Sequence, residues 1–451
     1  MRRSLVIAIS LLAVSVLFVA GPSLLFSPST SEIAPDETEV DPRMTSLEES
    51  ESEFWRYLSP QERFQQRSPI NVVVRGDTEE IVRKLSEADD GEWEEMEPPE
   101  EAEENETLLE EEGGHATGIE WGDAATGIEW GDAEGATRYA WIDPGPDEDG
   151  FWTDETAQVE DGDYYGERYH IRLYETPNPD DRWVVMQAHS EHFDWFTLRH
   201  RVDGVEAAQT KVESDFVSHP QVDMEEDVRR VYLDNDGPSD ANGWATIVDL
   251  AGMVVLPAGV GLAAGRRAST GTEIDPERVS ETAPEAIDDR LTDVDRRRIA
   301  AAYDRVEAGH LILVFAILAL FLGVRVAGLA LERHVTFMSA HMIAATLYPV
   351  IAVGIPVATY LIAGTLTRRL DAAIVAAGSL ALAIWIDYGM VGVGSLPVDV
   401  VVQRMFVVVS LGLIAGGAAR RATRDGRFND MLVVGAVMWL LVLTSTLLGY
   451  F

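Results

Sequence analysis

Seven long apolar runs constrain this chain more than any other feature: residues 4–26, 244–265, 310–331, 337–364, 372–394, 400–419 and 430–450. Each holds about the 20 residues that a helix needs to cross the hydrocarbon core of a bilayer. No water is present in that core to bond a peptide group, so the backbone must satisfy itself within the segment, as an α-helix does. The chain therefore reads as an α-helical multi-pass membrane bundle, with the lipid bilayer as its first partner. Two hydrophilic stretches, 30–243 and 266–309, are left outside the lipid.

Arginine placement predicts the orientation. Arg2 and Arg3 precede the first run, and Phe18 occupies the minus-three position of a cut after Ala20, which disfavours cleavage. Residues 1–29 are accordingly expected to be an uncleaved signal anchor with a cytoplasmic N-terminus. If every run crosses, Arg266, Arg267, Arg368, Arg369, Arg420, Arg421, Arg424 and Arg427 all fall on the inner side, as cytoplasmic loops favour positive charge. The map is then an extracytoplasmic domain over 30–243, a second span at 244–265, a cytoplasmic acidic loop over 266–309 and a five-span bundle over 310–451. Within the inner loop Leu291, Val294, Ile299, Ala302 and Val306 share a helical face, which offers a surface to a cytoplasmic partner.

Charge narrows the setting and the partners. Asp and Glu number 77 against 35 Lys and Arg, a formal charge of -42. Such a surface repels itself unless concentrated cations screen it, so an extreme halophile is the expected source and nucleic acid is excluded as a partner. Cysteine is absent, which removes disulfide and thiolate chemistry.

The exterior stretch alternates strand and helix signals and predicts an α+β domain. Ile70 to Val74 is a β-branched run broken at Gly76, and Asp77 can cap a helix carrying Ile81, Val82 and Leu85 on one face. ERYHIRLYE and RWVVMQAH alternate as the two strands of a hairpin, EHFDWFTLRHRVDG continues as an extended segment, and DMEEDVRRVYLDN permits an amphipathic helix. Between them, 89–135 reads as a disordered acidic loop, because Asp89 to Glu112 holds fourteen acids and no Lys or Arg. The nonapeptide ATGIEWGDA stands twice in succession there, at 116–124 and 125–133. Two copies are too few to build a repeat architecture, so it reads as an insertion in a tolerant loop.

SPINVVV, Glu92-Trp93, TRYAWID, RYHIRLYE, RWVVMQAH and SHPQVDMEEDVRRVYL occur in that order. Over about residues 68–235 this resembles the LssY C-terminal-type domain. In that family the last motif follows its Asp with an acid and then an arginine, whereas this chain has Asp223-Met224-Glu225-Glu226. Full-length relatives can carry a PAP2-type lipid phosphatase in the membrane part. The Pro-Ser-Gly-His signature is missing, so the resemblance implies no phosphatase here.

Two groups of residues carry candidate chemistry. His170, His189, His192, His200 and His219 crowd into a window of about fifty residues, with Asp194 and Asp223 close in sequence. Such N and O donors suit zinc or another divalent metal. The second group, Asp249, Arg325, His341, Asp387 and Arg404, lies within apolar runs, in the outer half by the predicted topology. Ionisable residues at such depth face a bundle interior and find partners, Asp249 or Asp387 with Arg325 or Arg404. They read either as ion-pair staples or as a polar vestibule for a lipid headgroup or solute, beside a helix that Pro349 and Pro356 would break. The leading functional expectation is an exterior domain that binds or senses an envelope ligand. Its alternative is a membrane-tethered, metal-dependent hydrolase acting on an envelope substrate, and a transporter comes third.

Overall fold

The computed structural model describes residues 42–250 and 308–447, apart from 97–137 and interruptions of at most five residues. The first apolar run, most of the acidic loop with its duplicated nonapeptide, Asp223 and the inner loop up to 307 lie outside the described residues.

The N-terminal part runs β1 (Met44–Ser46), β2 (Glu53–Trp55), β3 (Tyr57–Leu58), β4 (Ser68–Pro69), β5 (Val72–Arg75), α1 (Thr78–Ser86), β6 (Glu94–Glu95), β7 (Ala140–Asp143) and β8 (Phe151–Thr153). It continues with β9 (Ala157–Gly162), β10 (Glu167–Glu175), β11 (Trp183–Asp194), β12 (Arg199–Gly204), α2 (Glu206–Ser218), β13 (Val228–Tyr232) and β14 (Trp244–Asp249). The main sheet has the order β13-β14-β5-β11-β10-β9-β6, and β12 pairs with the far end of β11. Helices α1 and α2 cover one face, where Ile81, Leu85, Val212 and Phe216 join Val72, Ile171 and Met186 in one core. On the other face the small sheet β1-β2-β7-β8 sets Phe54 and Ile142 against Val73, Tyr174 and Val185. This is the α+β domain that the strand and helix signals require.

Local chemistry explains the strongest elements. Asp77 caps α1 by accepting from the Glu80 amide at 2.9 Å. Just before β5, the buried Asn71 side chain accepts from the Ala188 amide at 2.8 Å and donates to the Ala188 and Val205 carbonyls at 2.9 and 3.2 Å. It substitutes for a strand where β11 passes from β5 to β12. Asn71→Ala leaves one amide and two carbonyls without their bonds inside the core, and should destabilise the domain by about 2–4 kcal/mol. Denaturant unfolding followed by the emission of the buried Trp55, Trp93 and Trp183 measures it.

Four expectations are corrected. The helix anticipated in DMEEDVRRVYLDN is strand β13, and the helix lies earlier, at Glu206–Ser218. The supposed disordered loop begins with structure: Glu94–Glu95 pairs with β9, and Trp93 is buried with its indole N–H on Asp215 at 2.7 Å. Burial of that one ring offsets the ordering cost of its acidic neighbours. The apolar run 244–265 does not begin a membrane helix, because Trp244–Asp249 is a sheet strand parallel to β5 and antiparallel to β13. A strand covered on both faces is as continuously apolar as a spanning helix, which is why the run misleads. Asp249 consequently lies at a strand end, 3.5 Å from Arg75, and not in the lipid.

Among the described residues, the C-terminal part holds five helical segments long and apolar enough to cross a membrane. They are α3 (Ala308–His334), α4 (Ala340–Pro349) continued through a π-helical turn (Val350–Gly354) into α5 (Ile355–Ala363), α6 (Arg369–Met390), α7 (Val398–Thr423) and α8 (Asp430–Leu447). Pro349 and Pro356 thus produce a π turn and not the expected break. Pro356 has no amide for the Ala352 carbonyl four residues back, and the Trp439 indole from α8 takes that carbonyl at 2.9 Å. Helices α7 and α8 approach closely at glycines: a Cβ on Gly417 would lie 2.6 Å from the Leu432 amide nitrogen.

Candidate functional site

Two turns of the domain enter the bundle. The β9–β10 turn brings Tyr164 and Tyr165, and the β11–β12 turn brings Trp195 and Phe196, into the same apolar core as Ile317, Phe321 and Val324 of α3. The Tyr165 and Trp195 rings stack at 5.0 Å, and Phe196 meets Phe321 at 5.5 Å. Close approach here depends on Gly328, since a Cβ would come within 2.8 Å of Trp195. Glu332 at the end of α3 accepts from the Tyr164 and Tyr165 amides at 2.6 and 3.1 Å.

Buried arginines secure this contact. Arg325 is 1% exposed and forms a two-pronged ion pair with Asp387 of α6, both bonds at 2.8 Å. Its remaining terminal nitrogen donates to two domain carbonyls, Tyr165 O at 2.6 Å and Phe193 O at 2.9 Å. The planar fork of arginine suits this double duty as a lysine would not. Arg404 of α7, fully buried, pairs with Asp194 at the end of β11, bonds the Tyr388 hydroxyl at 2.9 Å and lies 4.2 Å over the Phe196 ring. Asp194 also accepts from the Phe196 amide at 2.9 Å and pairs with Arg201 at 3.2 Å. Burial alone would raise its carboxyl, but Arg404 and Arg201 outweigh that and hold it well below the usual range.

The structure brings together part of the polar group singled out in the apolar runs. Arg325 pairs with Asp387, while the partner of Arg404 comes from the domain and not from Asp249. His341 is exposed in the first turn of α4 and does not join them. The domain's own turns lie where the sequence suggested a vestibule.

The histidines divide similarly. His192 bonds Asp203 at 2.8 Å and faces the Tyr388 ring at the domain–bundle boundary. His200 donates to the Tyr164 carbonyl at 2.9 Å and supports the inserted turn. His219 caps the end of α2, 3.7 Å from Glu87, away from the others. His170 and His189 are directly paired across β10 and β11, with His170 Nδ1 and His189 Nε2 3.3 Å apart. Glu191, two residues along β11, brings Oε2 to 3.4 Å from the same His189 nitrogen. His170, His189 and Glu191 are the one His/Asp/Glu group among the described residues whose potential metal-ligand atoms all lie within 4.8 Å of one another.

Sequence reasoning missed Glu191 and the groups around it. His170 Nε2 faces Gln158 Oε1 at 2.8 Å and His189 Nδ1 faces Gln187 Oε1 at 3.1 Å. Arg168 bonds the other Glu191 oxygen and reaches Glu160 at 2.6 Å. Burial drives the His170 imidazolium well below its ordinary range, with His189 adding to the effect, and lowers His189 as well, so both rings are neutral at pH 7. Burial would raise Glu191, but the adjacent His189 ring and the Arg168 guanidinium overcome it and keep the group anionic. The available signal was the i, i+2 alternation that puts residues 189 and 191 on one sheet face, combined with hairpin register.

No protein-family model, curated protein or solved structure matches this chain.

Proposed function

We propose that this is an integral membrane protein whose extracytoplasmic domain binds an envelope ligand and passes the bound state to the helix bundle. The observation that carries the reading is the Arg325 contact, in which one guanidinium from α3 bonds both an α6 carboxylate and two domain carbonyls, one in the β9–β10 turn and one at the end of β11. A ligand can shift a distant element only through contacts that differ between states, and this network supplies a physical path for such a difference. Strand β11 runs from His189 and Glu191 to Phe193 and Asp194, so a binding site and the docking turn share one rigid element. The order of LssY-like motifs and the acidic, halophile-like charge are consistent with a domain working outside the cell.

Polar placement supports the orientation. Gly309 lies beside Leu366, and Arg369, Gly416, Arg420 and Asp430 cluster at that same end of the bundle. The domain docks at the other end, through Glu332, Ala340 and Arg325. Arginine-bearing ends favour the cytoplasm, which leaves the domain outside. The hydrolase alternative is weaker, because His170, His189 and Glu191 are 2%, 2% and 0% exposed and a large substrate does not reach them.

The cysteine-free chain makes orientation directly measurable. In intact cells a membrane-impermeant maleimide should label Arg83→Cys, on exposed α1, and spare Thr367→Cys between α5 and α6 until the membrane is opened. The reverse pattern would sink the extracytoplasmic assignment.

A further inference from the structure

We infer that His170, His189 and Glu191 form a binding site for one divalent transition-metal ion of the zinc type. Three electron pairs converge there. Gln158 gives its amide nitrogen to Glu155 and so presents its carbonyl to His170 Nε2, which must carry the ring proton. His170 Nδ1 is therefore a bare acceptor, aimed at His189 Nε2. Glu191 Oε2 is buried with no hydrogen bond. The Gln187 carbonyl likewise holds the proton of the neutral His189 ring on Nδ1, so His189 Nε2 is a further bare acceptor and no hydrogen within the group serves the three. One cation satisfies all three.

The spacing fits. Zinc bonds of about 2.0–2.1 Å in a tetrahedron set the ligand atoms about 3.3 Å apart. The His170–His189 and His189–Glu191 separations are 3.3 and 3.4 Å. Each ligand is also held from behind: Gln158 and Gln187 carbonyls face the outer ring nitrogens, and Arg168 holds the outer carboxylate oxygen. Such outer contacts fix imidazole tautomers at metal centres. Formal charge is favourable too, because Glu155, Glu160 and Glu191 outnumber Arg168 and Arg172 by one negative charge. Two imidazoles and one carboxylate select a borderline ion over magnesium or calcium, which prefer all-oxygen shells. The burial of the group makes the ion a structural or sensed species and not a hydrolytic one.

The site deepens the proposed function by naming the ligand class, and the two are separable by experiment. Full-length protein in lipid nanodiscs and molar KCl, with excess Mg²⁺ to occupy surface carboxylates, is titrated with Zn²⁺ and, separately, Co²⁺. One ion per chain should remain after desalting, and Co²⁺ should give the intense visible bands of a tetrahedral site. Glu191→Gln and His189→Asn should each weaken Zn²⁺ at least tenfold, and His219→Gln should leave it unchanged. Retention below a tenth of an ion per chain, an octahedral cobalt spectrum in the unmutated protein, or full binding by folded Glu191→Gln would overturn the site. The cobalt spectrum needs no variant, so a misfolded mutant does not protect the claim. If the ion binds while an environment-sensitive label at Thr367→Cys does not respond, the metal site stands and the transmission reading fails.

Discussion

Arg325→Ala is expected to destabilise docking of the domain on the bundle by about 3–5 kcal/mol, the range for breaking a buried ion pair by removing one partner. The substitution leaves the Asp387 carboxylate buried without its cation and strips the Tyr165 and Phe193 carbonyls of a donor. Arg325→Lys should recover only part, since an ammonium lacks the fork that serves a carboxylate and two carbonyls together. The paired replacement Arg325→Met with Asp387→Leu removes both charges, and a buried pair replaced in this way often costs nothing. Here it should restore roughly half, because the two carbonyls remain unbonded at about 1–3 kcal/mol each. Denaturant unfolding in nanodiscs, read through Trp195 in the interface, measures the series. Arg325→Ala within 1 kcal/mol of the parent protein would show that the domain docks by its aromatic turns alone.

How much of this was legible follows from the range of each signal. Five apolar runs in the C-terminal part are visible because hydrocarbon thickness sets a length that few other elements reach. The hairpin at residues 167–194 is visible because alternation is local, and so is the cap at Asp77. Strand β14 was hidden because its apolar residues join those that follow without a polar break. Helix α2 carries Ala208, Val212 and Phe216 at a four-residue spacing, yet its remaining positions are too mixed to form a clear stripe. The candidate site divides in the same way. That Arg325 and Asp387 pair follows from the cost of isolated charges in lipid. That Arg404 pairs with Asp194, more than two hundred residues earlier in the chain, depends on a domain turn entering the bundle, and no local pattern encodes that. Glu191 sat inside the histidine-rich run but gained meaning only when register placed His170 opposite His189.

Asp194 should behave differently from Arg325, both in mutation and in acid. Asp194→Ala leaves the fully buried Arg404 without its anion and removes the acceptor for the Phe196 amide, a loss of about 3–5 kcal/mol. Asp194→Asn keeps an acceptor for that amide and should cost less. Adding Arg404→Gln to Asp194→Asn removes the stranded charge and should recover most of the loss, because among the described residues Arg404 bonds no domain carbonyl comparable to those that Arg325 serves. Acid reaches the same interaction without mutation. The folded carboxyl titrates well below the ordinary aspartate value of 3.8 and the unfolded one near it, so the unfolded chain binds more protons as the pH drops. The stabilisation is fully present above about pH 4 and is lost as the pH falls toward the folded value, by up to about 1.4 kcal/mol per pH unit for this one group. Between pH 3.5 and 2.5 the parent protein should therefore lose stability more steeply than Asp194→Asn. Because the pair is buried, molar salt should leave that difference in slope in place, whereas a surface pair would be screened. Equal slopes for the two proteins in that interval would mean that Arg404 does not hold Asp194 ionised and that their contact is not electrostatic.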